Sequence, residues 1–133
     1  NGSHPGIVEN LLDKGLLDFV AMDIKSDLDG YRLAAGERFD TNTVKESVRI
    51  IMAKAPAYEF RTTCVKPLLT KEKMADIGEL IQGAKNYILQ PCSQGVSMLN
   101  PLFFKNEDRF FSDDEMLALK AEVEPSVNHC HIR

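Results

Sequence analysis

Asp18-Phe19-Val20-Ala21-Met22-Asp23-Ile24-Lys25-Ser26 is the stretch from which the fold is read. The apolar run from Phe19 to Met22 has strand length and leads into two opposite charges, Asp23 and Lys25, spaced i, i+2. In a β-strand that spacing puts both side chains on one face. Unpaired charges are costly to bury, so a buried strand with this ending serves something besides packing. Two readings stand at this point: the floor of a ligand site, or a structural ion pair at a strand end.

Upstream, Pro5 at a first helical position, apolar Val8, Leu11 and Leu12, and Gly15 as a C′ residue predict a helix over 5–14. The opening strand then covers 16–25, and a connection rich in Asp27, Asp29, Gly30 and Gly36 follows it. Thr43-Val44-Lys45-Glu46 has the form of a capping box. Behind it Val44, Val48, Ile51, Met52 and Ala55 keep a helical stripe to about residue 54, and Pro56 stops it. Tyr58 to Val65 is rich in β-formers and predicts a second strand that Pro67 ends. Thr70 caps a helix carrying Met74, Ile77, Leu80 and Ile81, closed by Gly83. Tyr87-Ile88-Leu89-Gln90 reads as a short third strand broken by Pro91. Residues 91–111 read as loop, and Ser112-Asp113-Asp114-Glu115 is a second capping box. It opens a helix with Met116, Leu119 and Val123 on one side, ended by Pro125, before an extended segment over 126–132.

Strands alternating with helices mean an α/β fold with a parallel sheet and outer helices. Three clear strands are few, and a complete eight-stranded barrel needs about 200 residues or more. The expected architecture is therefore a partial TIM-type (β/α) barrel, a portion of a larger barrel or wound sheet.

The 133 residues are 44% hydrophobic and 27% charged, which suits one domain with a real core. A formal net charge of −4 argues against a nucleic-acid surface. The acids Glu107, Asp108, Asp113, Asp114, Glu115, Glu122 and Glu124 crowd one stretch against Arg109 and Lys120, as on a solvated helix face. No apolar run approaches a membrane span, and no signal segment opens the chain. Cys64, Cys92 and Cys130 are odd in number and widely spaced, which fits neither a disulfide framework nor a local zinc motif. The setting expected is reducing and cytoplasmic. His129 and His131 flank Cys130 on one parity, an arrangement that is more often incidental than metal-binding. Gly2-Ser3-His4, with no Met before them, have the look of a cleaved-tag remnant.

In parallel α/β architectures ligands bind beyond the carboxyl ends of the strands. Asp23 and Lys25 finish the first strand, Glu59, Arg61 and Thr63 share one parity of the second, and Gln90 finishes the third. Arg and Lys suit a carboxylate or phosphate, the Arg bidentately. Asp23 suits an amine, a sugar hydroxyl or a hard cation. Mixed charge fits a zwitterion carrying an amino acid and a ribose. The competing reading is an internal network in which Asp23 and Glu59 neutralise Lys25 and Arg61.

Asn1-Gly2-Ser3-His4-Pro5, Asp18 to Lys25, Tyr58-Glu59-Phe60-Arg61-Thr62-Thr63 and Leu89-Gln90 together resemble successive blocks of the radical S-adenosylmethionine activating enzymes. The likeness is strongest to the anaerobic ribonucleoside-triphosphate reductase activating proteins, with the pyruvate formate-lyase activating enzymes more distant. With it, Asn1-Gly2 resembles the end of a Thr-Asn-Gly strand motif, and a tag remnant becomes the poorer account. The resemblance implies a cofactor pair, S-adenosylmethionine and a [4Fe-4S] cluster, the first cleaved reductively to a 5′-deoxyadenosyl radical that takes hydrogen from a glycine of a partner. That partner would be a glycyl radical enzyme of the anaerobic ribonucleotide reductase or pyruvate formate-lyase type. Asp23 and Lys25 match the family's S-adenosylmethionine-contacting block, Arg61 the residue by the methionine carboxylate, and Gln90 the strand end facing ribose and adenine. The sequence departs from the family in lacking the Cys-x-x-x-Cys-x-x-Cys cluster loop and the Gly-Gly-Glu segment. The expectation is a carboxyl-terminal half, residues 1–133 with no second domain, supplying one wall of the pocket and neither a catalytic residue nor a metal ligand.

Two further readings come from other classes. Lys25 at a strand end permits an aldolase-like barrel working through a Schiff base. A non-catalytic half-barrel would associate with itself through open sheet edges, which are templates for pairing.

Overall fold

The computed structural model describes residues 2–31, 40–92 and 109–133. Its order is helix α1 (Pro5–Asp13), strand β1 (Val20–Asp23), helix α2 (Thr41–Lys54), strand β2 (Tyr58–Cys64), helix α3 (Lys71–Leu80), strand β3 (Tyr87–Pro91), helix α4 (Asp113–Val123), a 3-10 turn (Glu124–Ser126) and strand β4 (Cys130–Ile132). The expected Asn1 and Gly36 positions, Glu107, Asp108 and most of the loop read over 91–111 lie outside the described residues.

The four strands form one parallel sheet in chain order, β1-β2-β3-β4. The extended segment after Pro125 is therefore a fourth strand, short and paired only over Tyr87↔Cys130 to Leu89↔Ile132. Neighbouring parallel strands joined in sequence by crossovers of one hand place their helices on one face. The burial pattern agrees. Met22, Tyr58, Phe60, Thr62, Cys64, Tyr87, Leu89 and Cys130, all of one parity, are buried. Against them pack Val44, Val48 and Ile51 of α2, Met74 and Ile77 of α3, and Met116, Leu119 and Val123 of α4. The other parity carries Asp23, Glu59, Arg61, Thr63 and Gln90 beside the buried Ile88, and among the described residues no helix packs on it.

Local chemistry explains most boundaries. Gly15 takes φ +64 just past α1, a conformation that costs glycine nothing. Lys54 reaches Glu9 and Asp13 at 2.7 and 2.9 Å and ties α1 to α2. Thr70 accepts from the Lys73 N–H, and Ser112 and Glu115 exchange both hydrogen bonds of a capping box.

Three sequence expectations need correction. The capping box at Thr43 does not form: Asp40 caps α2, accepting from the Asn42 N–H, while Thr43 Oγ1 donates to the Asp40 carbonyl and Glu46 pairs with Arg49. The first strand starts at Val20 instead of Leu16, because the Leu16 N–H returns to the Leu11 carbonyl and closes α1. Pro91 is the last residue of β3 rather than its breaker.

Candidate functional site

The helix-free face of the sheet gathers the charges anticipated from parity. Asp23 on β1 stands in register with Arg61 on β2, and their side chains approach at 3.3 Å. Lys25, two residues past Asp23, holds the same carboxylate at 2.8 Å. Glu59, two residues before Arg61, lies 4.0 Å from its guanidinium. Gln90 shares the face on β3, opposite Thr63 and one side-chain step nearer the carboxyl end than Arg61. Asp23, Lys25 and Arg61 are thus in direct contact, while Gln90 stands further along the same face.

The residue that sequence reasoning left out is Arg133, just past β4. Arg133 forks onto both oxygens of Glu59 at 3.0 and 3.2 Å, reaching across β3. Its backbone N–H is fixed by the Leu89 carbonyl, extending the ladder one residue past β4. His129 and His131 stack at 6.4 Å between ring centroids. The alternation of His129, His131 and Arg133 against Cys130 and Ile132 continues the parity of the two histidines to Arg133, but over only five residues.

The result is an alternating string, Lys25–Asp23–Arg61–Glu59–Arg133, at the open face. The internal network weighed from sequence is present. It is not buried, however: the Lys25, Asp23 and Arg61 side chains keep 43%, 36% and 32% of their exposure. The cost argued for buried charges at the end of β1 therefore does not apply, since solvent reaches this face. Partial burial pushes the Asp23 carboxyl up, but the hydrogen bond and charge of Lys25, and then the charge of Arg61, outweigh it and hold the carboxyl below its ordinary value. Arg61 Nε is shielded from solvent and makes no hydrogen bond, so Asp23 neutralises it only loosely.

The platform beneath is tied by hydrogen bonds. The Tyr31 hydroxyl accepts from the Lys25 N–H at 3.0 Å and donates to the Asp23 carbonyl at 3.2 Å. Thr62 Oγ1 donates to the Ile24 carbonyl at 2.7 Å and meets the Tyr87 hydroxyl at 2.6 Å. Beyond, Asp27 accepts from Ser26 Oγ and the Gly30 N–H, and Lys73 stands 3.5 Å away. A Cβ at Gly30 would meet Ser26 Oγ and Asp27 Oδ1, so a larger residue there would displace the Ser26–Asp27 hydrogen bond. At the other end Gly2 is buried, its carbonyl accepting from Ser47 Oγ at 2.9 Å.

These residues fit a zwitterion: the Asp23 carboxylate for an amine, and guanidinium and ammonium groups for a carboxylate. They do not fit an iron–sulfur cluster, which needs thiolates. Cys64 and Cys130 sit on the helix-covered face, their thiols pushed up to about 12 and about 11 by burial. Among the described residues no group of three or more His, Cys, Asp or Glu side chains is placed to hold a metal ion. Among the described residues, too, no helix is long and apolar enough to cross a membrane. Lys25 is exposed and ion-paired, the opposite of the desolvated setting that activates a Schiff-base lysine.

No family model and no solved structure matches the chain. It is 30% identical over 94 residues to a "putative glycyl-radical enzyme activating enzyme" of Methanocaldococcus jannaschii, the match covering 68% of this chain and 39% of that protein. The chain is a distant relative of that protein. The matched stretch spans about two fifths of the activating-enzyme relative's length.

Proposed function

We propose that this chain is the carboxyl-terminal part of a radical S-adenosylmethionine activase, a cytoplasmic oxidoreductase of anaerobic metabolism that acts on a glycyl radical enzyme. The observation that carries the reading is the helix-free row Asp23, Lys25, Arg61 and Gln90 toward the carboxyl ends of parallel strands, where such folds bind ligands. The named relative supports the class of partner. In this reading Asp23 receives the amino group of S-adenosylmethionine, Arg61 and Lys25 receive its carboxylate, and Gln90 faces the ribose. The cofactor supplies a 5′-deoxyadenosyl radical when reduced by a [4Fe-4S] cluster, whose ligands belong to a part of the protein other than this chain. The residues described here bind and orient. The open edges of β1 and β4 are where further barrel strands, or a second copy, would pair.

The test uses the longer natural protein, reconstituted anaerobically with iron and sulfide and assayed for 5′-deoxyadenosine and for a glycyl radical on its partner. Asp23→Ala and Arg61→Ala are each expected to weaken S-adenosylmethionine binding by about tenfold or more, as loss of a charged hydrogen-bonding partner does. A longer protein that takes up no cluster, or variants that bind the cofactor unchanged, would sink the reading.

A further inference from the structure

We infer that Arg133 sets the charge of this site and thereby keeps Arg61 open to a ligand carboxylate. The inference rests on the S-adenosylmethionine reading and adds a positioning residue to it. The argument is one of competition. Within the string there are two carboxylates, Asp23 and Glu59, and both could neutralise Arg61, the guanidinium between them. Asp23 is already held by Lys25 at 2.8 Å. Glu59 is held by both arms of Arg133, at 3.0 and 3.2 Å, and approaches Arg61 only to 4.0 Å. A bidentate guanidinium–carboxylate pair is the strongest of these contacts and the most demanding in direction. Glu59, the least exposed group of the string at 12%, is thus turned toward β4 and away from Arg61.

Counted over the string, Lys25, Arg61 and Arg133 face Asp23 and Glu59, leaving one positive charge in excess. That excess is what a ligand carboxylate would neutralise. Without Arg133 the string balances, and Glu59 swings onto Arg61 and occupies the position the ligand needs. Arg133 touches no ligand in this account. It acts through Glu59.

The experiment measures equilibrium binding of S-adenosylmethionine, and of its decarboxylated analogue, to the longer reconstituted protein. Arg133→Gln is expected to weaken S-adenosylmethionine binding by roughly five- to twentyfold while not weakening that of the analogue, because only the carboxylate is attracted by the excess positive charge and the analogue's ammonium and sulfonium are not. Glu59→Gln, which removes the competitor, is expected to leave binding unchanged or tighter, and Glu59→Gln in the Arg133→Gln background to restore it. Equal weakening of both compounds by Arg133→Gln would reduce Arg133 to a packing residue and overturn the inference. So would Glu59→Gln weakening binding as much as Arg61→Ala, a comparison that stands even where Arg133→Gln fails to fold. If Arg61→Ala weakens binding and Arg133→Gln does not, the pocket survives and only this inference falls. If neither matters, both fall.

Discussion

Tyr31 does for the end of β1 what a neighbouring strand would otherwise do. Its buried hydroxyl bridges the Lys25 N–H and the Asp23 carbonyl, fixing the backbone that aims the two charged side chains. Tyr31→Phe removes one atom and leaves both groups short of a partner, so it is expected to lower stability by about 1–3 kcal/mol, read from urea unfolding. The thiols make a second prediction. Burial holds Cys64 and Cys130 protonated in the folded state, with values near about 12 and about 11, whereas an unfolded thiol titrates near about 8.5. An acid whose folded value is raised binds its proton more tightly when folded. Its stabilising contribution is therefore complete below about pH 8.5 and declines as the pH rises toward the folded values. Unfolding midpoints should fall between pH 9 and 11, and less so in Cys64→Ala measured against its own neutral-pH midpoint. Iodoacetamide at pH 8 should label the half-exposed Cys92 well ahead of the two buried thiols.

At the level of elements, the caps separate what was legible from what was not. Ser112 and Thr70 could be read directly because each is followed by the residues its hydroxyl needs and has no competitor nearby. Ser112→Ala should cost about 1 kcal/mol, visible as a lowered melting temperature. Thr43 misled because Asp40, three residues earlier, is the better acceptor; once Asp40 takes the Asn42 N–H, Thr43 falls inside the helix and its hydroxyl turns back to the Asp40 carbonyl. Asp40→Ala should accordingly destabilise α2 by about 1 kcal/mol, whereas Thr43→Val should cost less, a ranking that thermal melts would check. The site divides in the same way. Asp23, Lys25 and Arg61 were visible because charges spaced i, i+2, Asp23 with Lys25 and Glu59 with Arg61, sit among β-forming residues. Arg133 was not, because β4 pairs over only three residues and its alternation is too short to stand out from a loop.

For the whole molecule, the decisive fact is that helices α2, α3 and α4 all pack on one face of the sheet. Isolated, the chain should fold but fail to acquire iron on anaerobic reconstitution, as judged by absorbance near 400 nm, because two of its three thiols lie under helices on the face opposite the charged string. Iron uptake by this chain with a cluster spectrum would contradict that arrangement.

One-sidedness also fixes which changes of length the gene can tolerate. Strand β2 reads alternately inward and outward, Tyr58, Phe60, Thr62 and Cys64 against Glu59, Arg61 and Thr63. Deleting a single codon within it would invert every side chain beyond the deletion, sending Arg61 under the helices and Phe60 into water. Deleting two would restore the facing but slide Arg61 about 6.6 Å past Asp23, out of reach of its partner. The strand thus has a reading frame of its own, and inherited insertions or deletions should fall outside it.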